Sequence, residues 1–140
     1  MAAAREPMVV THEGGLRFVA DIRGHRLVVD QPAPKGEDSA PMPVELMGAA
    51  LGTCVALYVQ QYCASRELPY EGMRVEVRHE NAKSPHRIGA FAVQVFLPEP
   101  LAAEHLEMLD RVARSCPVHN TLTHAPQVEV VIEAGAPAGV

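Results

Sequence analysis

The sequence predicts an α+β domain in which antiparallel strands surround one long buried helix and a second, amphipathic helix lies beside it. Three observations carry that expectation. Residues 41–63 are apolar on every side, residues 73–79 and 88–97 alternate apolar and polar side chains, and residues 101–114 return to a helical period with one wet side. At 140 residues the chain is most simply one domain, residues 1–140. A chain of that size buries roughly two thirds of the surface its unfolded form exposes.

Taken in order, residues 1–8 contain Arg5 and Glu6 and no apolar run of the signal-peptide kind, which makes the cytoplasm the expected compartment. Short strands at residues 8–10, 16–21 and 25–30 are separated by the turn pairs Gly14-Gly15 and Arg23-Gly24 and form a small antiparallel meander. Residues 31–41 are rich in proline and charge and read as a loop. That loop leads directly into the long helix, so it is either the wall of a site there or only a connector.

The helix itself starts at Pro43, whose missing amide is harmless in a first turn, with Glu45 facing the positive end of the dipole. On a helical wheel Met47, Ala50, Leu51, Cys54, Leu57 and Tyr58 share one face, and Gly48, Ala49, Gly52, Ala56, Val59 and Cys63 lie towards the other. Neither face suits water. Each interior glycine weakens a helix by roughly 1 kcal/mol against alanine, so Gly48 and Gly52 point to a close neighbour on their side. Glu45, Gln60 and Gln61 within so short a run favour a central helix of a globular core over a membrane span, and no membrane partner is expected. Cys54 falls near the middle of this helix, buried or at the base of a cleft.

Residues 68–72 break the helix, and strands at 73–79 and 88–97 joined by a turn at 80–87 make a hairpin. Pro98-Glu99-Pro100 introduces the second helix, a short helix begins around Cys116-Pro117, residues 128–133 close the sheet as a last strand, and residues 134–140 form a loose tail.

Composition narrows the function. Apolar residues make up 48% and charged residues 21%, and 17 acidic against 12 basic side chains leave a formal charge of -5. That balance argues against a nucleic-acid partner, and the local basic group Arg78, His79, Lys83, His86 and Arg87 reads as the solvated end of the hairpin. Three cysteines without a Cys-x-x-Cys pair make neither a disulfide scaffold nor a zinc ribbon. Cys116, His119 and His124 do not spell out four structural ligands, so no metal and no cofactor is expected. His119 and Asn120 are candidates for a helix-start hydrogen bond or for shaping a site, and Tyr58 reads as core.

The cysteines remain as chemistry. Cys116 precedes a proline able to take the first helical position, which puts its sulfur near helix amides that favour a thiolate. Cys54 has no such help and needs a cationic neighbour. Cys54 and Cys63, nine positions and about 900° of rotation apart, point to opposite sides, so a disulfide within one chain would join Cys54 and Cys116. Such a pair suits a peroxide-reducing cycle: one thiolate attacks a peroxide oxygen and becomes a sulfenic acid, the other condenses with it, and an external dithiol restores both.

Pro43-Val44-Glu45-Leu46, then Ala49-Ala50-Leu51-Gly52-Thr53-Cys54, together with Cys116-Pro117-Val118-His119-Asn120-Thr121-Leu122, resembles the two signature segments of the OsmC-like family, relatives of the organic hydroperoxide resistance proteins. The resemblance implies an intertwined α+β homodimer, with antiparallel sheets around long central helices and a site at each interface. It implies a thiol-dependent peroxidase for organic hydroperoxides, served by a cellular dithiol reductant. By that pattern Cys54 is the attacking cysteine and Cys116 the resolving one, the reverse of what helix position alone favours. The family glutamate that orients an arginine over the sulfur stands where this chain has Val44. Glu45, one place later, is either part of the site or the start of the helix, and the arginine is either Arg17 or Arg23. The alternative is a non-catalytic or redox-responsive member of the same fold that binds a small ligand.

Overall fold

The computed structural model describes residues 5–135, so most of the tail expected at 134–140 lies outside the described residues. Its elements run β1 (Val9–Gly14), β2 (Arg17–Ile22), β3 (His25–Val29), α1 (Pro43–Ser65), β4 (Arg74–Ala82), β5 (Arg87–Phe96), α2 (Ala103–Ala113) and α3 (Pro117–Thr123). The strands make two antiparallel sheets, β1-β2-β3 and the hairpin β4-β5. The expected α+β class is therefore what the chain forms.

The meander pairs Thr11 with Val19 and Val19 with Val28, which sets one row of β-branched side chains across all three strands. β1 runs further than its apolar residues suggest, through His12 and Glu13. Ladder pairing with β2 extends it, and there His12 meets the Phe18 ring at 5.1 Å and Glu13 takes ion pairs from Arg17 and Arg26. Those two guanidinium groups, Arg17 first, hold the Glu13 carboxyl below its ordinary pKa.

The loop after β3 is built on Asp30, which is 2% exposed. Its carboxylate accepts from the Ser39 hydroxyl at 2.7 Å and from the amides of Ser39, Gln31 and Glu37. Those bonds, led by the Ser39 hydroxyl, lower its pKa to about 2. Gly36 sits so close to this carboxylate that an added Cβ would meet the Gln31 carbonyl oxygen and Asp30 Oδ1.

α1 lays its Gly48, Gly52, Val55, Val59 and Cys63 side onto the core. Val75, Val77 and His79 of β4 stand directly opposite Val95, Val93 and Phe91 of β5, so one face of the hairpin is a continuous row. Val77 and Phe91 from that row approach Gly48, and Val75 and Val77 approach Gly52. Leu109 of α2 and Cys116 complete the buried cluster. At the far end of α1 the Tyr62 hydroxyl lies 3.0 Å from His105 Nδ1, and the Arg66 guanidinium stacks on the Tyr62 ring.

Two expectations are corrected. The helix expected to be covered on every side leaves Met47 44% and Leu57 51% exposed, because within one chain the hairpin and α2 cover only the glycine side. Residues 128–133 do not close a sheet. They form no regular element and pair with no strand among the described residues, with Val128 79% and Ile132 90% exposed. Their β-branched side chains favour extended backbone, but a strand exists only beside a neighbour, and among the described residues none lies alongside. α1 is also long and apolar enough to cross a membrane by length and composition. In this structure it is the element on which the hairpin, α2 and α3 pack.

Candidate functional site

Cys54 and Cys116 come together from elements 62 positions apart in the chain. Cys54 projects from the middle of α1, half-buried, against the cluster that contains Cys116. Cys116 is the N-cap of α3, with Pro117 at the first helical position as the sequence suggested. Its sulfur accepts the His119 amide at 3.3 Å and is fully buried.

The ionisation of Cys116 departs from the sequence reading. Burial pushes its pKa up, outweighing the amides of His119 and Val118 that pull it down, and the adjacent Cys54 thiol raises it further. A helix-start amide is present, but desolvation wins. Cys63, on the opposite side of α1, is likewise fully buried, and burial raises its pKa too.

Glu45 lies at the helix start. Its Oε2 accepts the Met42 amide at 2.8 Å, reaching back from the third helical position to the N-cap, where a carboxylate also complements the dipole. Arg17 donates to Glu13 at 3.1 Å and to the Ser39 hydroxyl at 2.9 Å. Arg23 occupies a turn position with φ of 56° and makes no ion pair among the described residues. The thiols are thus brought together, while neither arginine partners Cys54 within the described residues.

A cleft of about 720 Å³ lies between α1, β5, α2 and α3, lined by Leu51, Val55, Phe91, Val93, Leu106 and Leu109 among others, and neither Cys54 nor Cys116 lines it. Asp110, Arg114 and His119 supply its charged or titratable groups. Asp110 and Arg114 pair with each other at 2.9 Å, which lowers the carboxyl's pKa and raises the guanidinium's. His119 Nδ1 is buried without a hydrogen-bond partner. The sequence offered His119 for a helix-start hydrogen bond or for shaping a site; its amide makes the helix-start bond and the residue lines the cleft. The sequence offered a cleft above Cys54 and the loop at 31–41 as a wall; the walls of this cleft come instead from α1, β5, α2 and α3, whose mutual placement no local pattern encodes. Among the described residues no group of three or more His, Cys, Asp or Glu side chains could hold a metal ion.

A two-sheet α+β chain with a thiol pair between its central helix and a short C-terminal helix defines a recognisable class. A family model described as OsmC-like protein matches residues 36–131, more than half of the chain. The chain belongs to the OsmC-like family.

Solved structures agree on the fold. A candidate osmotic stress induced and detoxification response protein from Psychrobacter arcticus superposes with a TM-score of 0.78 at 21% identity, covering 86% of this chain and 90% of that one. An OsmC like protein from Mycoplasma pneumoniae gives 0.74 at 14% identity, over 89% and 91%. An organic hydroperoxide resistance protein OsmC from Legionella pneumophila gives 0.65 at 19%, over 85% and 90%. No curated protein matches the sequence.

Proposed function

We propose that this protein is a thiol peroxidase that reduces organic hydroperoxides through Cys54 and Cys116 and is recharged by a cellular dithiol in the cytoplasm. The observation that carries the reading is the meeting of a half-exposed thiol with a fully buried one. Cys54 is open to a substrate and Cys116 is shielded from one, which suits attack by the first and resolution by the second. The Cys54 thiolate attacks the terminal peroxide oxygen, the O–O bond breaks, and the alcohol leaves after taking a proton. Cys54 is then a sulfenic acid. The Cys116 sulfur displaces its oxygen as water, and an external dithiol reduces the resulting disulfide. An apolar cleft whose wall includes Leu51 and Val55, neighbours of Cys54 on α1, favours a substrate with an organic tail over hydrogen peroxide.

The reading includes an intertwined homodimer. Its support is the apolar surface a single chain leaves bare: Met47 and Leu57 on α1, Val9 and Val10 on β1, and Val128, Val130, Val131 and Ile132. In that assembly a second copy covers the open face of α1 and brings Arg17 or Arg23 to the neighbouring Cys54. Val44, in the place of the family glutamate, and Arg17, held by Glu13 and Ser39, favour the second reading, a redox-responsive or ligand-binding protein without turnover.

The test is turnover of cumene hydroperoxide and of hydrogen peroxide with a dithiol reductant. Activity on the organic substrate, abolished in C54S and replaced by an accumulating sulfenic acid in C116S, is the expected result. Wild-type protein inert to both substrates with several dithiols would overturn the activity and leave the second reading.

A further inference from the structure

We propose that the dithiol enters on Cys54: its thiolate attacks the Cys54 sulfur of the oxidised pair, and Cys116 is the sulfur that leaves. The inference rests on the Cys54–Cys116 disulfide of the proposed cycle and adds the direction in which that disulfide is opened. Thiol attack on a disulfide leaves a mixed disulfide on one of the two sulfurs, and access as well as the leaving group decides which. The two cysteines differ in access. Cys54 is half-buried on α1, whereas Cys116 is 0% exposed, inside a cluster with Leu51, Val55 and Leu109. A dithiol reaches the first from solvent, and every approach to the second passes through protein. A second copy over the open face of α1 removes exposure and adds none, so assembly keeps Cys116 out of reach.

The leaving group pulls the other way. Burial raises the Cys116 pKa, and a more basic thiol leaves more slowly. Exchange rates follow only a fraction of a change in thiol basicity, whereas attack on a sulfur without exposed surface waits for α1 and α3 to part. The Cys116 sulfur also departs with a donor in place. It caps α3 and accepts the His119 amide at 3.3 Å, and the Val118 amide favours the thiolate as well. Access therefore decides. As the bond from the dithiol to Cys54 forms, the Cys54–Cys116 bond breaks, and its electron pair leaves on Cys116 as a thiolate that takes a proton from water. The second thiol of the reductant, as thiolate, then attacks the reductant's own sulfur in the mixed disulfide. The reductant leaves as a disulfide, oxidised by two electrons, and Cys54 is released as the thiolate that meets the next hydroperoxide.

The experiment needs no hydroperoxide. The full-length protein, carrying C63A so that two thiols remain, is oxidised with diamide, freed of reagent and mixed with 2-mercaptoethanol. A monothiol has no second sulfur to complete the reduction, so it arrests the reaction at the mixed disulfide. Samples taken over time are blocked with N-ethylmaleimide and digested with trypsin, which places Cys54 on residues 36–66 and Cys116 on residues 115–140. Mass spectrometry is expected to find the mercaptoethanol on Cys54 and the maleimide on Cys116 at the earliest times, in roughly tenfold or greater excess over the reverse pattern. The same experiment on the wild type, with fragment spectra separating Cys54 from Cys63, guards against an effect of C63A itself. Mercaptoethanol arriving first on Cys116, or equally on both, would overturn the proposal. Failure of diamide to join the two cysteines would overturn it together with the peroxidase reading. A protein that opens through Cys54 yet turns over no hydroperoxide would retire the peroxidase reading and keep this one.

Discussion

Alanine at Gly52 and alanine at Gly48 should move stability in opposite directions, although the two glycines lie one turn apart on the same helix. Both changes gain helix propensity, about 1 kcal/mol each. They differ in what the new methyl meets. At Gly48 the Cβ would sit 3.7 Å from Phe91 Cε1 and Val77 Cγ1, ordinary contact distances. At Gly52 it would sit 2.8 Å from Val77 Cγ2, a clash with a β-branched side chain fixed in a strand. Overpacking of that kind costs about 1–3 kcal/mol, so Gly52→Ala should be between neutral and about 2 kcal/mol destabilising. Gly48→Ala should stabilise by about 1 kcal/mol. Urea unfolding at one fixed protein concentration reads both, the fixed concentration holding any contribution from assembly constant. Val77→Ala supplies the internal control. With the clashing methyls gone, Gly52→Ala should become stabilising, and the double-mutant cycle should show coupling of about 1–3 kcal/mol. Gly52→Ala matching Gly48→Ala in both backgrounds would refute the claim that close approach of β4 to α1 requires glycine there.

Other expectations follow from single contacts. Asp30 has its folded pKa lowered to about 2 from an ordinary 3.8, so its stabilising contribution is full above pH 4 and disappears as pH falls toward 2. Acid titration of unfolding midpoints should show that slope in the wild type and a flatter one in Asp30→Asn, with a lower midpoint at neutral pH. Glu45→Ala removes an exposed helix-start carboxylate and should cost about 1 kcal/mol or less in urea unfolding. An additional large loss of kcat/KM for a hydroperoxide would show that Glu45 acts in the site as well. Tyr62→Phe removes the bond to His105 Nδ1 and should cost about 0.5–1.5 kcal/mol in the same assay, leaving Cys54 reactivity unchanged. The proposed homodimer predicts that Ile132→Asp shifts light scattering after size exclusion from dimer to monomer, and a dimer undisturbed by it would remove residues 128–133 from the interface.

The parts of the fold written in local pattern were legible. Pro43 and Glu45 marked the start of α1, the alternation of Val75 and Val77 marked β4, and Cys116-Pro117 marked the N-cap of α3. What the sequence could not convey was which competing term prevails. The amide over the Cys116 sulfur was anticipated, but whether burial outweighs it depends on α1, from far along the chain, sharing one buried cluster with Leu109 and Cys116. Asp30 gave a usable signal in hindsight, a lone acid ending an apolar strand ahead of a proline-rich loop, where such side chains gather backbone amides. Residues 128–133 are the opposite case. Their pattern reads as a strand, and it says nothing about whether an edge is there to pair with.

That segment also sets a condition on how the protein reaches its working state. Val-Glu-Val-Val-Ile-Glu is a β-prone hexapeptide held in water, the composition that nucleates cross-β stacking when many copies meet. Glu129 and Glu133 are its gatekeepers, since ladders of like charge repel in register. Substituting both with glutamine should make a freshly synthesised chain deposit as fibre.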